Sequence, residues 1–347
     1  MIQESALELL CRLIEVPSIS REETAAADLL QAYMADRLRL PVQRRGNNLW
    51  SVAPVCSADK PTLLLNAHID TVRPVAGWQR NPFKAQREGD RVYGLGSNDD
   101  GASLVSLLHV FAELRDKPTA YNLVFLASAE EEVSGRGGIE SILPQLPKID
   151  VALVGEPTGM QPAIAEKGLM VLDVTAHGTS GHAARDEGDN AIYHAIDDMQ
   201  WFRSYRWEKV SPLLGPVKMS VTILSAGTQH NVIPDTCTFT VDVRSNELYT
   251  NRELYNEICR HVRSEVKARS FRLGSSRIGE DHPLVQRIKA LGGQPFGSPT
   301  LSDQALMSFP SLKMGPGQSS RSHTADEYIE VSEIQQAIEF YTAVLQG

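Results

Sequence analysis

Cysteine is scarce in this sequence, which has 347 residues and four cysteines, Cys11, Cys56, Cys237 and Cys259. They are far apart along the chain, and no two of them form a Cys-x-x-Cys pair. This usage excludes a dense disulfide framework, indicates a reducing compartment and argues against a zinc site built from thiolates. Any bound metal would therefore have to be held by histidine and carboxylate side chains.

Long hydrophobic runs and an excess of positive charge are missing as well. No apolar run approaches the roughly 20 residues that cross a bilayer, and Glu4 and Glu8 stand where a signal peptide carries Lys or Arg. The 34 Lys and Arg residues are interspersed with 43 Asp and Glu residues, which gives a net charge of -9. These features argue against a nucleic acid or a membrane as partner, and we expect a cytoplasmic enzyme.

The chain is longer than one hydrophobic core usually organises, so we expect two domains. Before Lys167 the apolar runs are continuous, as in buried strands, whereas after it they alternate with polar residues. Helical periodicity resumes near Pro283. We predict an α/β fold: residues 1–165 and 280–347 form one domain around a central mixed, mostly parallel sheet flanked by helices, and residues 166–279 form an inserted two-layer α+β domain.

Individual elements follow from the spacing of apolar residues and from capping signals. Ser20-x-x-Glu23 has the form of a capping box, which predicts a helix that continues to about Arg37. The spacing also predicts helices at 102–114, 190–205, 251–268 and 331–346, and strands at 61–65, 121–127, 150–154, 169–177, 218–225, 236–244 and 271–275.

Polar side chains follow the apolar strand predicted at 61–65. His68 and Asp70 come just beyond it, at the end of a strand where α/β sheets place their ligands. Because strand residues two apart point the same way, His68 could bind a metal while Asp70 holds its other ring nitrogen. The alternative is an ordinary hydrogen-bonded pair at the end of a strand.

Three further apolar or glycine-rich segments end in carboxylates, at Asp99, at 130–132 and at Glu156. Asp99 precedes the helix predicted at 102–114, so it could be either a ligand or a simple N-cap. The three glutamates at 130–132 terminate a buried strand, where their mutual repulsion needs a cation to offset it. Pro157 fixes the backbone directly after Glu156.

A long polar loop at 315–327 contains His323, which could be a ligand or part of a mere connection. Together these positions supply two histidines, three carboxylate ligands and one further carboxylate: His68, His323, Asp99, Glu132, Glu156 and Glu131. That is the inventory of a two-metal hydrolase, in which one carboxylate is shared by ions about 3.5 to 4 Å apart. Nitrogen and oxygen ligands suit Zn²⁺, with Co²⁺ or Mn²⁺ as substitutes.

The chain resembles the dinuclear zinc amidohydrolases that include acetylornithine deacetylase, succinyl-diaminopimelate desuccinylase and bacterial glutamate carboxypeptidases. The resemblance covers essentially the whole length and depends on the order and spacing of seven short segments. These are His68-Ile69-Asp70, Gly94-Leu95-Gly96-Ser97-Asn98-Asp99, Glu130-Glu131-Glu132, Gly155-Glu156-Pro157-Thr158, Gly181-His182, His230-Asn231-Val232-Ile233-Pro234 and Ser322-His323-Thr324.

The resemblance implies a role for each residue of the predicted centre. His68 and Glu156 would bind one metal, Glu132 and His323 the other, and Asp99 would bridge the two. Asp70 would orient His68. Glu131 would be the general base, since a carboxylate beside the metals can take a proton from water and pass it to the leaving amine.

Two departures from the family pattern leave alternatives open. The family usually reads Asp-Glu-Glu where this chain has three glutamates, so a shift by one residue would make Glu130 the base and Glu131 a ligand. The family also commonly has a lysine shortly after the bridging Asp. Here Asp99 is followed directly by Asp100 and Gly101, which makes Asp100 a rival for the bridging position.

In the inserted domain the resemblance singles out His182, Asn231 and Arg244. The segment 178–182 looks like the family loop whose histidine reaches the partner subunit's site and stabilises the oxyanion, with Asn231 beside it. Arg244 resembles the residue that binds the substrate α-carboxylate. These roles imply a homodimer formed through an inserted lid and dimerisation domain. The alternatives are a surface histidine in a flexible turn and a solvated arginine on a strand.

The activity implied is hydrolysis of the N-acyl bond of a small α-amino acid. Segments 94–99, 165–174 and 315–327 look most like acetylornithine deacetylases, which implies N-acetyl- or N-succinyl-L-ornithine as substrate and arginine biosynthesis as pathway. A succinyl group would need a further cation, for which Lys167, Arg185 and Arg321 are candidates. The alternatives are a di- or tripeptidase, an inactive binding protein on the same scaffold, and a protein with one structural zinc.

Overall fold

We describe the protein from a computed structural model in which residues 2–185 and 187–346 can be placed. The α-helices of these residues are α1 (Ile2–Ile14), α2 (Thr24–Ala32), α3 (Ala102–Leu114), α4 (Ile139–Ile142), α5 (Ala191–Ser204), α6 (Asn251–His261), α7 (Pro283–Ala290) and α8 (Val331–Leu345). The strands are β1 (Gln43–Arg45), β2 (Asn48–Val52), β3 (Thr62–His68), β4 (Gln86–Glu88), β5 (Arg91–Tyr93), β6 (Asn122–Ser128), β7 (Val151–Val154), β8 (Ala163–Glu166), β9 (Met170–His177), β10 (Gly181–His182), β11 (Lys218–Ala226), β12 (Val232–Ile233), β13 (Thr236–Arg244), β14 (Glu265–Ala268), β15 (Ser276–Arg277), β16 (Phe296–Ser298), β17 (Ser311–Lys313) and β18 (Tyr328–Glu330).

The chain divides into two compact units. One comprises the chain up to Ile164, Arg277–Phe296 and everything from Ser302 onward, and the other comprises Ala165–Ser276 and Gly297–Leu301. Residues 297–301 were predicted to lie in the first domain. The structure groups them with the second unit, where the Lys167 N–H donates to the Ser298 carbonyl at 3.1 Å.

A mixed sheet forms the centre of the first unit. Its strands run in the order β1-β2-β6-β3-β7-β17-β8. The pairs β6–β3, β3–β7 and β7–β17 are parallel, whereas β1–β2 and β2–β6 are antiparallel. The predicted α/β fold with a central mixed sheet is confirmed. Because β3, β6 and β7 are parallel neighbours, their carboxyl ends lie at the same edge of the sheet.

Helices cover both faces of this sheet. On one face the ring of Phe111 from α3 packs against Phe125 of β6, with 5.9 Å between ring centroids, and α1 and α8 pack on α3. On the other face Ile139 and Ile142 of α4 pack against Leu64. The central strands are buried from both sides, which explains their continuous apolar runs.

The second unit is an antiparallel sheet covered by two helices. Its strands run in the order β11-β13-β9-β14, and side chains of β9 alternate between buried and partly exposed positions. The buried ones, such as Leu172, pack with Phe202 of α5 and Leu254 of α6. This is the predicted two-layer α+β arrangement.

Two predictions of local structure are wrong. The strand expected at 271–275 lies instead at Glu265–Ala268, where it pairs with β9, and α6 accordingly ends at His261. The expected capping box is not formed either: α2 begins at Thr24 with Glu23 as its N-cap. The Ser20 hydroxyl donates instead to the carboxylate of Asp70 at 2.6 Å.

Among the described residues, none of the helices has the length and apolar character needed to cross a bilayer.

Candidate metal centre

His68 is the last residue of β3, and its buried imidazole is held at both nitrogens. Nδ1 lies 2.8 Å from the backbone carbonyl oxygen of Asp70, whereas the Asp70 carboxylate is 3.6 Å away. Since a carbonyl oxygen can only accept, Nδ1 carries a proton and Nε2 is the atom available to a metal. The backbone carbonyl of Asp70, and not its carboxylate as expected, therefore holds Nδ1 of His68.

The carboxylate of Asp70 holds the turn that follows β6. Its Oδ1 accepts the N–H of Glu131 at 2.9 Å, and its Oδ2 accepts the N–H of Glu132 at 3.2 Å. Burial opposes the ionised form, but the neighbouring imidazole of His68 and the hydrogen bonds from Ser20 and this turn lower the pKa of Asp70 below its usual value. Asp70 thus remains a carboxylate that fixes the backbone of both glutamates.

The turn separates Glu130 from its two neighbours. Glu130 has a left-handed backbone, with φ of 55°, and its carboxylate accepts the N–H of Gly137 at 3.3 Å. A Cβ at Gly135 or Gly137 would collide with the Glu130 side chain and force it to move. The side chains of Glu131 and Glu132, in contrast, lie among the predicted ligands. This arrangement disfavours the alternative in which the base and the ligand are shifted by one residue.

Asp99 lies between the two histidines. Its Oδ1 is 3.2 Å from Nε2 of His68, and its Oδ2 is 3.7 Å from Nε2 of His323. The N-cap of α3 is Gly101, so the capping alternative for Asp99 is not observed. A carboxylate that offers one oxygen to each of two imidazoles has the arrangement that a bridging ligand needs.

The remaining carboxylates complete two overlapping groups of possible ligands. Atoms of His68, Glu131 and Glu156 lie within 4.8 Å of one another, and so do atoms of His68, Asp99 and Glu132. His323 adds to the second group, because its Nε2 is 3.0 Å from the Glu132 carboxylate. The structure therefore brings together all six side chains that the sequence assigned to a two-metal centre.

The charge in this cluster is strongly unbalanced. Burial, reinforced by neighbouring carboxylates, raises the pKa of Glu131 and of Glu156 well above the usual value. The hydrogen bond to Glu132 raises the pKa of His323 to about 9. Cations would relieve this repulsion, and the donors are the nitrogen and oxygen atoms that Zn²⁺, Co²⁺ and Mn²⁺ accept. The residues therefore fit a dinuclear metal centre.

Asp100, the rival for the bridging position, has a different environment. Its Oδ2 accepts the backbone N–H of His68 at 3.2 Å, so it contacts the end of β3 rather than an imidazole. Burial raises its pKa to about 7. Asp100 supports the strand that carries His68, and Asp99 is the better candidate for the bridge.

Two buried carboxylates near the centre were not identified from the sequence. Glu327 accepts the backbone N–H groups of Gly96, Asn98 and Asp99 at 3.1, 2.8 and 2.9 Å. The only sequence signal for it is its place at the end of the polar loop that carries His323.

The second such carboxylate is Asp303, at the end of β3 and β6. It accepts the Ser128 hydroxyl at 2.6 Å and the Asn66 amide at 3.1 Å, and burial raises its pKa to about 6. Nothing in the local sequence distinguishes Asp303, because its partners are about 175 and 237 residues away along the chain.

Three of the predicted site residues belong to the second unit. His182, the last residue of β10, and Asn231, which directly precedes β12, are exposed. β10 pairs with β12 in a small two-stranded sheet, and the Ala183 N–H donates to the Asn231 carbonyl at 3.0 Å. Arg244, at the end of β13, binds Asp242 through two hydrogen bonds of 2.8 and 3.0 Å. Their catalytic and binding roles stay predictions.

The three cations considered for a succinyl group are all engaged. Arg321 forms an ion pair with Glu333 at 2.6 Å. Lys167 donates to the Pro216 carbonyl at 2.9 Å, and Arg185 lies 3.8 Å from a carboxylate oxygen of the exposed Glu187. Arg185 has the weakest contact of the three.

Comparison with known proteins places the chain among metal-dependent hydrolases. The model of peptidase family M20/M25/M40 matches residues 64–347. Succinyl-diaminopimelate desuccinylase of Corynebacterium glutamicum is 29% identical over 93% of this chain and 91% of its own. Acetylornithine deacetylase of Proteus mirabilis is 27% identical over 82% of this chain and 79% of its own.

The solved structures include a tripeptidase from Staphylococcus aureus that shares the fold. It superposes with a TM-score of 0.79 at 18% identity and covers 99% of this chain and 98% of its own. At this identity the likeness shows the fold alone.

Proposed function

The chain belongs to peptidase family M20/M25/M40, and from this premise we propose that it hydrolyses the amide bond of an N-acyl-L-amino acid at a dinuclear zinc centre. The observation that carries the proposal is the position of Asp99, whose two oxygens face the imidazoles of His68 and His323. These two histidines are far apart along the chain but meet at one carboxylate, which is what a ligand shared by two metals requires.

The ligand assignment follows the contacts. His68 and Glu156 would hold one metal, Glu132 and His323 the other, and Asp99 both. Zinc is the metal that these donors suit best, with Co²⁺ or Mn²⁺ as substitutes. When bound, the metals would supply the positive charge that polarises the substrate carbonyl and lowers the pKa of a water molecule.

Glu131 is our candidate for the general base. Its carboxylate lies among the ligands, while two backbone N–H bonds to Asp70 fix the Glu131–Glu132 turn. It would take a proton from the attacking water as the new C–O bond forms, and give that proton to the nitrogen as the C–N bond breaks. Without bound metals, burial and the neighbouring carboxylates raise the pKa of Glu131 well above its usual value, and the positive charge of the metals would lower it again.

For the substrate we propose N-acetyl- or N-succinyl-L-ornithine. The likeness to acetylornithine deacetylase supports this choice. A second candidate is N-succinyl-diaminopimelate, because relatives of comparable identity are desuccinylases that act on it. The first candidates belong to arginine biosynthesis and the second to lysine biosynthesis.

We also propose that His182 stabilises the oxyanion and that Asn231 and Arg244 bind the substrate. A guanidinium matches a carboxylate through two parallel hydrogen bonds. Arg244 already makes such a pair with Asp242, so a substrate carboxylate would have to share or displace that partner.

The second unit has a surface suited to a homodimer, which we propose as the functional form. Strand β11 lies at the edge of its sheet and exposes Val221, Ile223 and Leu224, while α5, which packs on β11, exposes Tyr193 and Ile196. Exposed apolar edge strands readily pair with a second copy. Sedimentation of the wild type and of Ile223→Lys tests this proposal: a dimer that the substitution dissociates supports it, and a monomeric wild type contradicts it.

We further propose a cytoplasmic location. Among the described residues the four cysteines are unpaired, which fits a reducing compartment.

Metal analysis combined with a substrate panel tests the proposed function. The panel consists of N-acetyl-L-ornithine, N-succinyl-L-ornithine, N-succinyl-L,L-diaminopimelate, a dipeptide and a tripeptide, each assayed with zinc-loaded protein. Two metals per chain and fastest turnover of one of the acyl amino acids would support the proposal. Fastest cleavage of a peptide would indicate a peptidase, and a folded protein that takes up no metal would indicate a binding protein.

A further inference from the structure

We propose that Glu327 is a positioning residue that holds the bridging ligand Asp99 in place and ties its loop to the loop of His323. This inference rests on the proposed dinuclear centre. Glu327 lies four residues after His323, and its side chain is buried, with 2% of its surface exposed.

The carboxylate of Glu327 accepts three backbone N–H groups from the segment that ends at Asp99. Oε1 accepts the N–H groups of Asn98 at 2.8 Å and of Asp99 at 2.9 Å, and Oε2 accepts the N–H of Gly96 at 3.1 Å. The backbone carbonyl of Glu327 accepts a further N–H, from Gly94, at 3.0 Å. Four backbone N–H groups of the segment from Gly94 to Asp99 therefore donate to this one residue, which fixes the segment.

A second set of contacts joins this segment to the loop of His323. The Asn98 side chain donates to the Gln318 carbonyl at 3.1 Å and to the Ser322 hydroxyl at 3.2 Å, and accepts the Gln318 N–H at 2.9 Å. Gly317 has φ of +84°, and a Cβ there would lie 2.3 Å from the Asn98 side-chain oxygen. The two loops are therefore packed closely around Asn98.

A carboxylate is the side chain that this position requires. The three N–H groups are all donors, and both carboxylate oxygens are acceptors. In Glu327→Gln the amide oxygen can still accept from Asn98 and Asp99, but the amide nitrogen then faces the N–H of Gly96. The substitution removes one hydrogen bond and puts two donors together, while the size of the side chain is unchanged.

The chain offers a matched control in the neighbouring residue. Asp326 accepts the N–H groups of Gln79 and Arg80 at 3.1 and 3.0 Å, so it fixes a loop that carries no predicted ligand. Asp326→Asn therefore also disturbs carboxylate-to-backbone hydrogen bonds at the adjacent position. It leaves the segment of Asp99 untouched.

The test compares zinc affinity, kcat and KM in the wild type, Glu327→Gln and Asp326→Asn, with zinc affinity measured by competition with a chelator. We expect Glu327→Gln to bind its weaker zinc about 10- to 100-fold less tightly, and to lose kcat with KM little changed. Excess zinc should restore part of the activity. Asp326→Asn should bind zinc as tightly as the wild type does, even if its melting temperature falls as much as that of Glu327→Gln.

Wild-type zinc affinity in Glu327→Gln would overturn the inference, and so would an equal loss of affinity in both variants. If Glu327→Gln fails to fold, Glu327→Asp provides the test. It keeps the carboxylate but shortens the side chain by one methylene, so it cannot reach all three N–H groups and should also weaken zinc binding. A wild type that binds fewer than two zinc ions would contradict the proposed function itself, which separates the two failures.

Discussion

At the residue scale, two adjacent glutamates of the candidate metal centre have different contacts. Glu132 contacts His323 at 3.0 Å, whereas Glu131 lies with His68 and Glu156. Asp70 binds both of their backbone N–H groups, so the two side chains are fixed relative to each other. In the proposed mechanism, the base must lie beside the metals without bridging them, and this turn would keep Glu131 and Glu132 apart for these two roles.

Replacement of the proposed base, Glu131, should strongly lower turnover and leave metal binding intact. We expect Glu131→Gln to lower kcat by about 10²- to 10⁴-fold, the range typical of a general acid–base group, because an amide cannot accept the proton. The metal content and KM should change little. Steady-state kinetics and metal analysis on the same preparation check both.

The matched control for this prediction is Glu130→Gln. The Glu130 carboxylate binds the loop at Gly137, so this variant should keep most of its kcat. The reverse pattern, a large loss in Glu130→Gln and little in Glu131→Gln, would show that the roles are shifted by one residue.

At the scale of elements, the turn after β6 is held by a single buried carboxylate. Asp70 accepts hydrogen bonds from the Ser20 hydroxyl and from the backbone of Glu131 and Glu132. In Asp70→Asn an amide nitrogen replaces one carboxylate oxygen, so an N–H donor faces the donors that the oxygen had accepted. We expect a loss of about 1.5–3 kcal/mol in the free energy of unfolding, as for hydrogen bonds to a charged group, and a lower kcat.

Ser20→Ala is the control for Asp70→Asn, because it removes one donor and leaves the carboxylate. Its free energy of unfolding should fall by about 0.5–1.5 kcal/mol, with kcat near the wild-type value. Chemical denaturation followed by circular dichroism checks both variants. Equal stability of Asp70→Asn and the wild type would mean that the turn is held by other contacts.

The sequence predicted elements best where periodicity continued without interruption. Helix α3 has the predicted limits, and the strands that end at His68 and Ser128 lie within a few residues of theirs. The helix predicted at 251–268 is too long, because residues 265–268 form strand β14, which pairs with β9. The spacing of residues within one segment does not show with which distant strand that segment pairs.

The six side chains that the structure brings together could be predicted as candidate ligands from the sequence, because each stands at the end of an apolar run or within a recognisable segment. Glu327 and Asp303 could not, since their roles depend on backbone groups and side chains brought together by the fold. The orientation of Asp70 was also missed, because sequence spacing cannot show whether a carbonyl or a carboxylate meets His68.

At the scale of the whole molecule, the metal-free protein should become less stable as the pH rises. Burial raises the pKa of Asp303 to about 6 and of Asp100 to about 7, and that of Glu131 and Glu156 well above the usual value. Between about pH 4 and pH 7 the folded chain therefore binds more protons than the unfolded chain. By linkage, its free energy of unfolding falls as the pH rises through this range.

Metal binding offsets that loss, so zinc should raise the melting temperature more at pH 8 than at pH 5.5. Differential scanning calorimetry of chelator-treated and zinc-loaded protein at both pH values checks this prediction. A zinc effect that is equal or larger at pH 5.5 would contradict the account of the carboxylate cluster.

The central claim is that Asp99 bridges two metals between His68 and His323. Anomalous X-ray diffraction at the zinc edge, from crystals of the zinc-loaded protein, tests it most directly. We predict two peaks about 3.5 to 4 Å apart, one on each side of the Asp99 carboxylate, with His68 at one and His323 at the other. A single peak, or peaks that leave Asp99 without a metal, would contradict the claim.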